Sequence, residues 1–179
     1  MKLAILDRDG VINFDSDQYI KSPAEWRPIP GSIEAIARLN QHGYRIAVAT
    51  NQSGIGRGLF DMATLNAIND KMMELVFRQG GRIDALFFCP HTAAEECGCR
   101  KPRTGMLEEI AVRFHTELKG VPSIGDSLKD LQAAESVGAQ PILVLTGKGK
   151  ATHAAGALPK KTLVFEDLAE ASKHLVESE

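Results

Sequence analysis

Short, almost continuous apolar runs alternate along this chain with stretches of helical periodicity. LAIL (3–6) breaks off at Asp7 and is too short for a helix, and YRIAVAT (44–50) follows Gly43 and is rich in strand formers. IDALFFC (83–89), PSIG (122–125), PILVLT (141–146) and TLVF (162–165) complete six candidate strands. Runs that stay apolar, instead of alternating with polar residues, suit strands covered on both faces, as in a parallel sheet.

Helical patterns fill the gaps. SIEAIARLNQH (32–42) sets Ile33, Ile36, Ala37 and Leu39 near one face and stops at Gly43. Asp61 can cap a helix with Leu65, Ile68, Met72 and Leu75 inward, ending at Gly80-Gly81. Thr104 can cap a helix over 105–118, and another pattern runs from about 127 to 137 before Gly138. Asp167 with Glu170 reads as a capping box opening a last helix. The order predicts a doubly wound α/β protein with a mostly parallel, Rossmann-like sheet. No linker or repeat divides the 179 residues, so a single domain over 1–179 is expected.

Charge narrows the partners. A net charge of −2 gives no bulk attraction to nucleic acid or to a membrane surface, and the basic runs GKGK (147–150) and PKK (159–161) read as solvated loop charges. No apolar run approaches the length of a membrane span. The apolar run at the start is too short for a signal-peptide core. Three cysteines are an odd number for a secreted disulfide scaffold, so a reducing, cytoplasmic setting is expected. A monomer is expected as well.

In such sheets, ligands bind beyond the carboxyl ends of the strands. Asp7 and Asp9 follow the first strand, and side chains two apart on an extended segment point the same way. Thr50, Asn51, Gln52 and Ser53 follow the second, and Asp126, Ser127 and Asp130 the fourth. Carboxylates gathered at one edge favour a hard dication such as Mg²⁺, while a hydroxyl and a lysine favour phosphate oxygens. Each of these has a plainer reading too: a polar turn for Asp-x-Asp-Gly, a surface residue for Lys101, a helix-surface carboxylate for Asp130.

All three cysteines fall in one stretch, Cys89-x-His91-x₅-Cys97-x-Cys99, directly before Arg100 and Lys101. Four soft or borderline ligands suit tetrahedral zinc in a closed, structural site. A disulfide with one thiol left over, or three free thiols, are the competing readings; the Cys-x-x-Cys redox motif is absent.

The series DRDG (7–10), ATN (49–51), CRKP (99–102) and GDSLKD (125–130) resembles, in order and spacing, the four motifs of the haloacid dehalogenase superfamily of phosphatases. That resemblance implies Asp7 as nucleophile, Asp9 as general acid and base, and Thr50 and Lys101 on the phosphoryl group. It implies Mg²⁺ on the carboxylates of Asp7 and Asp126 and the main-chain carbonyl of Asp9. No insertion between motifs is long enough for a large cap domain, so an open site is expected. Within the superfamily the zinc-bearing insert is similar to two groups, the heptose-bisphosphate and the histidinol-phosphate phosphatases. YIKSPAEWRPIPGSIEAIARLN (19–40) and TNQSGIGRGLF (50–60) resemble the first. By that likeness Asp15, Ser16, Asp17, Gln18, Asn51, Gln52, Ser53, Arg100 and Ser127 would contact a sugar bisphosphate, although the family often has lysine where Ser127 stands. A polynucleotide 3′-phosphatase is a third enzyme reading, disfavoured by the charge. A catalytically dead, zinc-stapled binding module has no use for a repelling Asp7/Asp9 pair.

Overall fold

The computed structural model describes residues 1–178. Six strands, β1 (Lys2–Leu6), β2 (Tyr44–Asn51), β3 (Ala85–Cys89), β4 (Pro122–Gly125), β5 (Gln140–Val144) and β6 (Leu163–Phe165), form one sheet in the order β3-β2-β1-β4-β5-β6. All neighbours pair in parallel. The four inner strands are buried almost throughout, and the two edge strands are mostly half-buried. That gradient explains the continuous apolar runs: an inner parallel strand has no solvent face to make polar.

Alternation divides the core. Ala4, Leu6, Ile46 and Val48 face one side and pack with α1 (Ser32–Gln41), α3 (Met62–Arg78) and α7 (Leu168–Glu177). Leu3, Ile5, Ala47 and Ala49 face the other and pack with α4 (Gly105–Phe114) and α5 (Leu128–Ser136). Each fully buried leucine or isoleucine contributes about 1.5–3 kcal/mol. Trp26 is fully buried, and Lys71 of α3 ties the loop beneath it by donating to the carbonyls of Pro23 and Trp26, both at 2.7 Å.

The helix boundaries follow local chemistry, with three departures from expectation. Asp61 caps α3 by accepting from the Thr64 amide at 2.8 Å. Thr104, however, makes no such cap; its hydroxyl donates to Glu108 at 2.6 Å, and α4 stops early because His115 turns left-handed (φ 49°). Asp167 accepts from the Glu170 amide, but the Glu170 carboxylate reaches back to Glu166, one residue before the cap. Finally, the basic run 147–150, read as solvated loop charge, leads into a short helix, α6 (Gly149–Ala155), and a further short helix, α2 (Ser53–Gly56), follows β2. Glycine is about 1 kcal/mol less favourable than alanine in a helix, so glycine content hides short helices that are held by their neighbours.

Candidate active site

The strand order reverses between β1 and β4, which places the crevice of a doubly wound sheet at their carboxyl ends. Asp7 directly follows β1, and its amide still donates to Ile124 of β4 at 2.9 Å, so the ladder itself holds its backbone. Asp126 directly follows β4. The two carboxylates are therefore neighbours because the strands are.

Lys101 enters between them from the far side of β2. Its ammonium meets Asp7 at 3.2 Å, Asp130 at 2.6 Å and the Ala49 carbonyl at 2.7 Å, three acceptors for three N–H groups. Asn51 fixes the lysine's backbone from both sides, accepting from its amide at 3.0 Å and donating to its carbonyl at 3.1 Å. Burial works against the ammonium, but Asp130 and Asp7 outweigh it and raise its pKa above the ordinary lysine value. Lys101 is thus no surface lysine, and Asp130 is no helix-surface carboxylate. The latter is buried and accepts from the amide and hydroxyl of Ser127, at 3.0 and 2.8 Å, while bonding Lys101.

One ammonium does not balance three carboxylates. Oxygens of Asp7, Asp126 and Asp130 lie within 4.8 Å of one another. Burial pushes Asp7 well above the usual carboxylate range; Lys101 pulls it back, and Asp130, Asp126 and Asp9 push it further. Asp126 is raised to about 7 by burial and then by Asp130. Such a cluster of oxygen donors, short of positive charge, fits a hard dication. Glycines clear the space: a Cβ on Gly10 (φ 86°) or on Gly147 would collide with the Asp126 carboxylate.

Asp9 has the opposite environment. Arg8 donates to it twice, at 2.9 and 3.3 Å, Asn13 at 2.9 Å and Gln52 at 3.0 Å. Burial alone would raise its pKa, but the Arg8 charge and these donors hold it below the usual value. The other Asn13 amide atom, Oδ1, is buried without a partner, so the amide is oriented by what its nitrogen serves. Gln52 also donates to the Thr50 hydroxyl at 2.9 Å, which leaves that hydroxyl's own hydrogen for another acceptor.

A cavity of about 420 Å³ opens over Asp7 and Asp9. Of the residues expected to meet a substrate, Asp15, Ser16, Asp17, Asn51, Gln52, Ser53, Arg100 and Ser127 line it. Gln18 does not: it lies exposed, with its amide on the Ser16 hydroxyl. Several of the lining side chains are already committed, Asn51 to Lys101, Gln52 to Asp9 and Thr50, and Ser127 to Asp130. Tyr19, Lys129 and Lys148 line the cavity and were not anticipated. Lys148 is brought in by its main-chain amide, which donates a hydrogen bond to the Asp126 carboxylate at 2.8 Å, a pairing of positions 22 apart that local patterns do not carry.

The cysteine cluster closes on itself. All three thiols are free, with sulfur separations of 3.0, 3.5 and 3.6 Å, and the His91 Nδ1 lies 3.3 Å from Cys99 and 3.5 Å from Cys89. A disulfide needs about 2.05 Å. Tetrahedral zinc at about 2.3 Å from sulfur implies ligand separations of about 3.7 Å. The four donors fit the second figure. Cys97 has its pKa brought down to about 6, since hydrogen bonds from Arg100, Cys89 and Cys99 outweigh burial, while burial pushes Cys89 up to about 12. Arg100 donates to the His91 carbonyl at 3.4 Å, so the cluster and the cavity wall are one piece.

D-glycero-β-D-manno-heptose-1,7-bisphosphate 7-phosphatase of Bordetella bronchiseptica is 55% identical to this chain over 177 residues, 99% of each. The chain belongs to the heptose-bisphosphate phosphatase family. The Pseudomonas putida member of the heptose-bisphosphate phosphatases is 54% identical over 176 residues, 98% of this chain and 100% of its own. The crystal structure of the heptose-bisphosphate phosphatase from B. bronchiseptica, complexed with magnesium and phosphate, superposes with a TM-score of 0.99 at 55% identity over the whole of both chains. Residues 98–171 match the family model described as HAD-hydrolase-like, and 2–129 the one described as polynucleotide kinase 3 phosphatase. The second span holds the first three motifs and the fourth as far as Lys129, so it reflects the phosphatase core and does not separate sugar from nucleotide. The heptose-bisphosphate phosphatases contribute the finer likeness, over the full length.

Proposed function

We propose that this chain is a Mg²⁺-dependent phosphomonoesterase that removes the 7-phosphate of D-glycero-D-manno-heptose 1,7-bisphosphate, leaving the 1-phosphate for nucleotide-activated heptose. The observation that carries the reading is Asp7 facing an open cavity with the Lys101 ammonium 3.2 Å away. A carboxylate so placed is a nucleophile beside a fixed positive charge, which is what phosphoryl transfer requires of a protein.

In this reading an Asp7 oxygen attacks phosphorus while Lys101 and the Thr50 hydroxyl hold the phosphoryl oxygens. Asp9, which must first take up a proton from solvent against its lowered pKa, gives that proton to the departing sugar oxygen as the P–O bond breaks. As a carboxylate it then takes a proton from the water that opens the aspartyl-phosphate, releasing phosphate and restoring Asp7. Mg²⁺ held by Asp7, Asp126 and the Asp9 carbonyl would supply further charge neutralisation. The acidic rim of Asp15 and Asp17 faces the sugar hydroxyls, and Arg100 is the cation for the distal phosphate. The whole chain acts as one domain, as a monomer, in the cytoplasm.

A substrate panel tests this. With Mg²⁺, kcat/KM for phosphate release should be highest for heptose bisphosphate, above histidinol phosphate and a 3′-phosphorylated oligonucleotide. A better rival would remove the specific assignment and keep the chemistry.

Zinc on Cys89, His91, Cys97 and Cys99 is the structural half of the reading. Protein purified without chelator should carry close to one zinc per chain by elemental analysis. Cys97→Ser should lose most of it and melt at a lower temperature, because metal binding is linked to folding of the loop. Zinc-free wild-type protein with an unchanged melting temperature would refute the role.

A further inference from the structure

Arg8 is fully buried, an uncommon fate for a guanidinium, and none of the steps above uses it. Its Nε donates to Asp9 Oδ1 at 2.9 Å and its Nη2 to Asp9 Oδ2 at 3.3 Å. Its Nη1 donates to Oδ1 of Asn69 at 3.1 Å, and Asn69 is a buried residue of α3, outside the cavity wall. Asn69 lies in the helix whose Lys71 pins the Trp26 loop, so it is a rigid anchor.

The four donors around Asp9 are not equivalent. Oδ1 is held by Arg8 and Asn13, both at 2.9 Å. Oδ2 is held by the longer Arg8 contact and by Gln52, whose amide also serves Thr50. Oδ2 is therefore on the Thr50 side, where the phosphoryl group is proposed to sit, and its donors are the easier to release. A carboxylate has about four acceptor positions, so with all taken one must open before Asp9 can hand a proton to a substrate.

We propose that Asn69 is a positioning residue: by holding the Arg8 guanidinium it fixes Asp9 through Oδ1 and leaves Oδ2 as the oxygen that exchanges the proton. The proposal rests on Asp9 being the acid and base. Without Asn69, Arg8 keeps a buried N–H with no partner, and the fork that aligns Asp9 is free to turn.

The test uses leaving groups. An alkyl phosphate such as the heptose bisphosphate needs a proton on its departing oxygen, whereas dinitrophenyl phosphate releases a stable phenolate without one. Asn69→Leu should lower kcat/KM for the sugar phosphate roughly tenfold and for the aryl phosphate less than about threefold, a fraction of what a well-placed acid contributes. Asn69→Asp, which keeps the acceptor, should recover most of the sugar-phosphate activity. Equal losses on both substrates, or no loss in the folded variant, would overturn the proposal; should Asn69→Leu not fold, Asn69→Ala carries the same comparison. Asp9→Asn runs alongside. If it too lacks leaving-group selectivity, the Asp9 assignment fails and this proposal with it; selectivity in Asp9→Asn alone sinks only the role of Asn69.

Discussion

Asp7→Asn should stop phosphate release, by about 10³-fold or more, in a protein that stays folded. The substitution keeps the shape of the side chain and the acceptor that receives the Arg8 amide at 2.8 Å. What it removes is the carboxylate oxygen proposed to attack phosphorus. Stability argues the same way. Burial and three neighbouring carboxylates raise the Asp7 pKa well above its ordinary value, so ionised Asp7 weakens the fold as pH rises through that pKa. A neutral amide removes this penalty, and Lys101 retains Asp130 at 2.6 Å and the Ala49 carbonyl. The melting temperature near neutral pH should therefore equal or exceed that of the wild type. Residual turnover within about tenfold of wild type would exclude Asp7 as the nucleophile, because no other group in the cavity would then be lost.

The parts of this site that were legible in the sequence are those that strand ends determine. Asp7, Thr50 and Asp126 stand where apolar runs stop, and in a parallel sheet all those stops fall on one edge. The cysteine cluster was legible from ligand type and spacing alone. The illegible parts depend on which way a polar side chain turns. Arg8 in the motif DRDG looks like any solvated arginine, yet it is buried beneath Asp9 and held by a residue 61 positions away. Ser127 and Asn51 were expected to face a substrate, and the fold uses them first on Asp130 and Lys101. Gln18 was grouped with Asp15 through the family likeness, but a left-handed Tyr19 (φ 66°) turns the chain there and Gln18 stays outside the cavity.

Lys101→Met tests the same edge from the cationic side, and should damage both stability and turnover. Methionine matches the length of the lysine stem and preserves its packing, so the change isolates the charge. Asp7, Asp126 and Asp130 are then left together in a buried site with no cation. Removing one partner of a buried ion pair costs about 3–5 kcal/mol. For a chain of this size that is a fall in melting temperature on the order of 10 °C. The sign of the pH dependence follows from the carboxylates. Asp7 and Asp126 already have raised pKa values with Lys101 present, the latter to about 7, and losing the ammonium raises them further. Their protonated forms suit the folded state, so the deficit should shrink toward acid and widen as pH rises through 7. Mg²⁺ should stabilise the variant against heat more than it stabilises the wild type, since a dication replaces part of the missing charge. It should not restore phosphate release, because the ammonium beside Asp7 is where the transferring group needs neutralising. A Lys101→Met protein as stable as wild type at pH 8 without Mg²⁺ would mean that the three carboxylates are not ionised together. The charge imbalance on which the proposed metal site rests would then be absent.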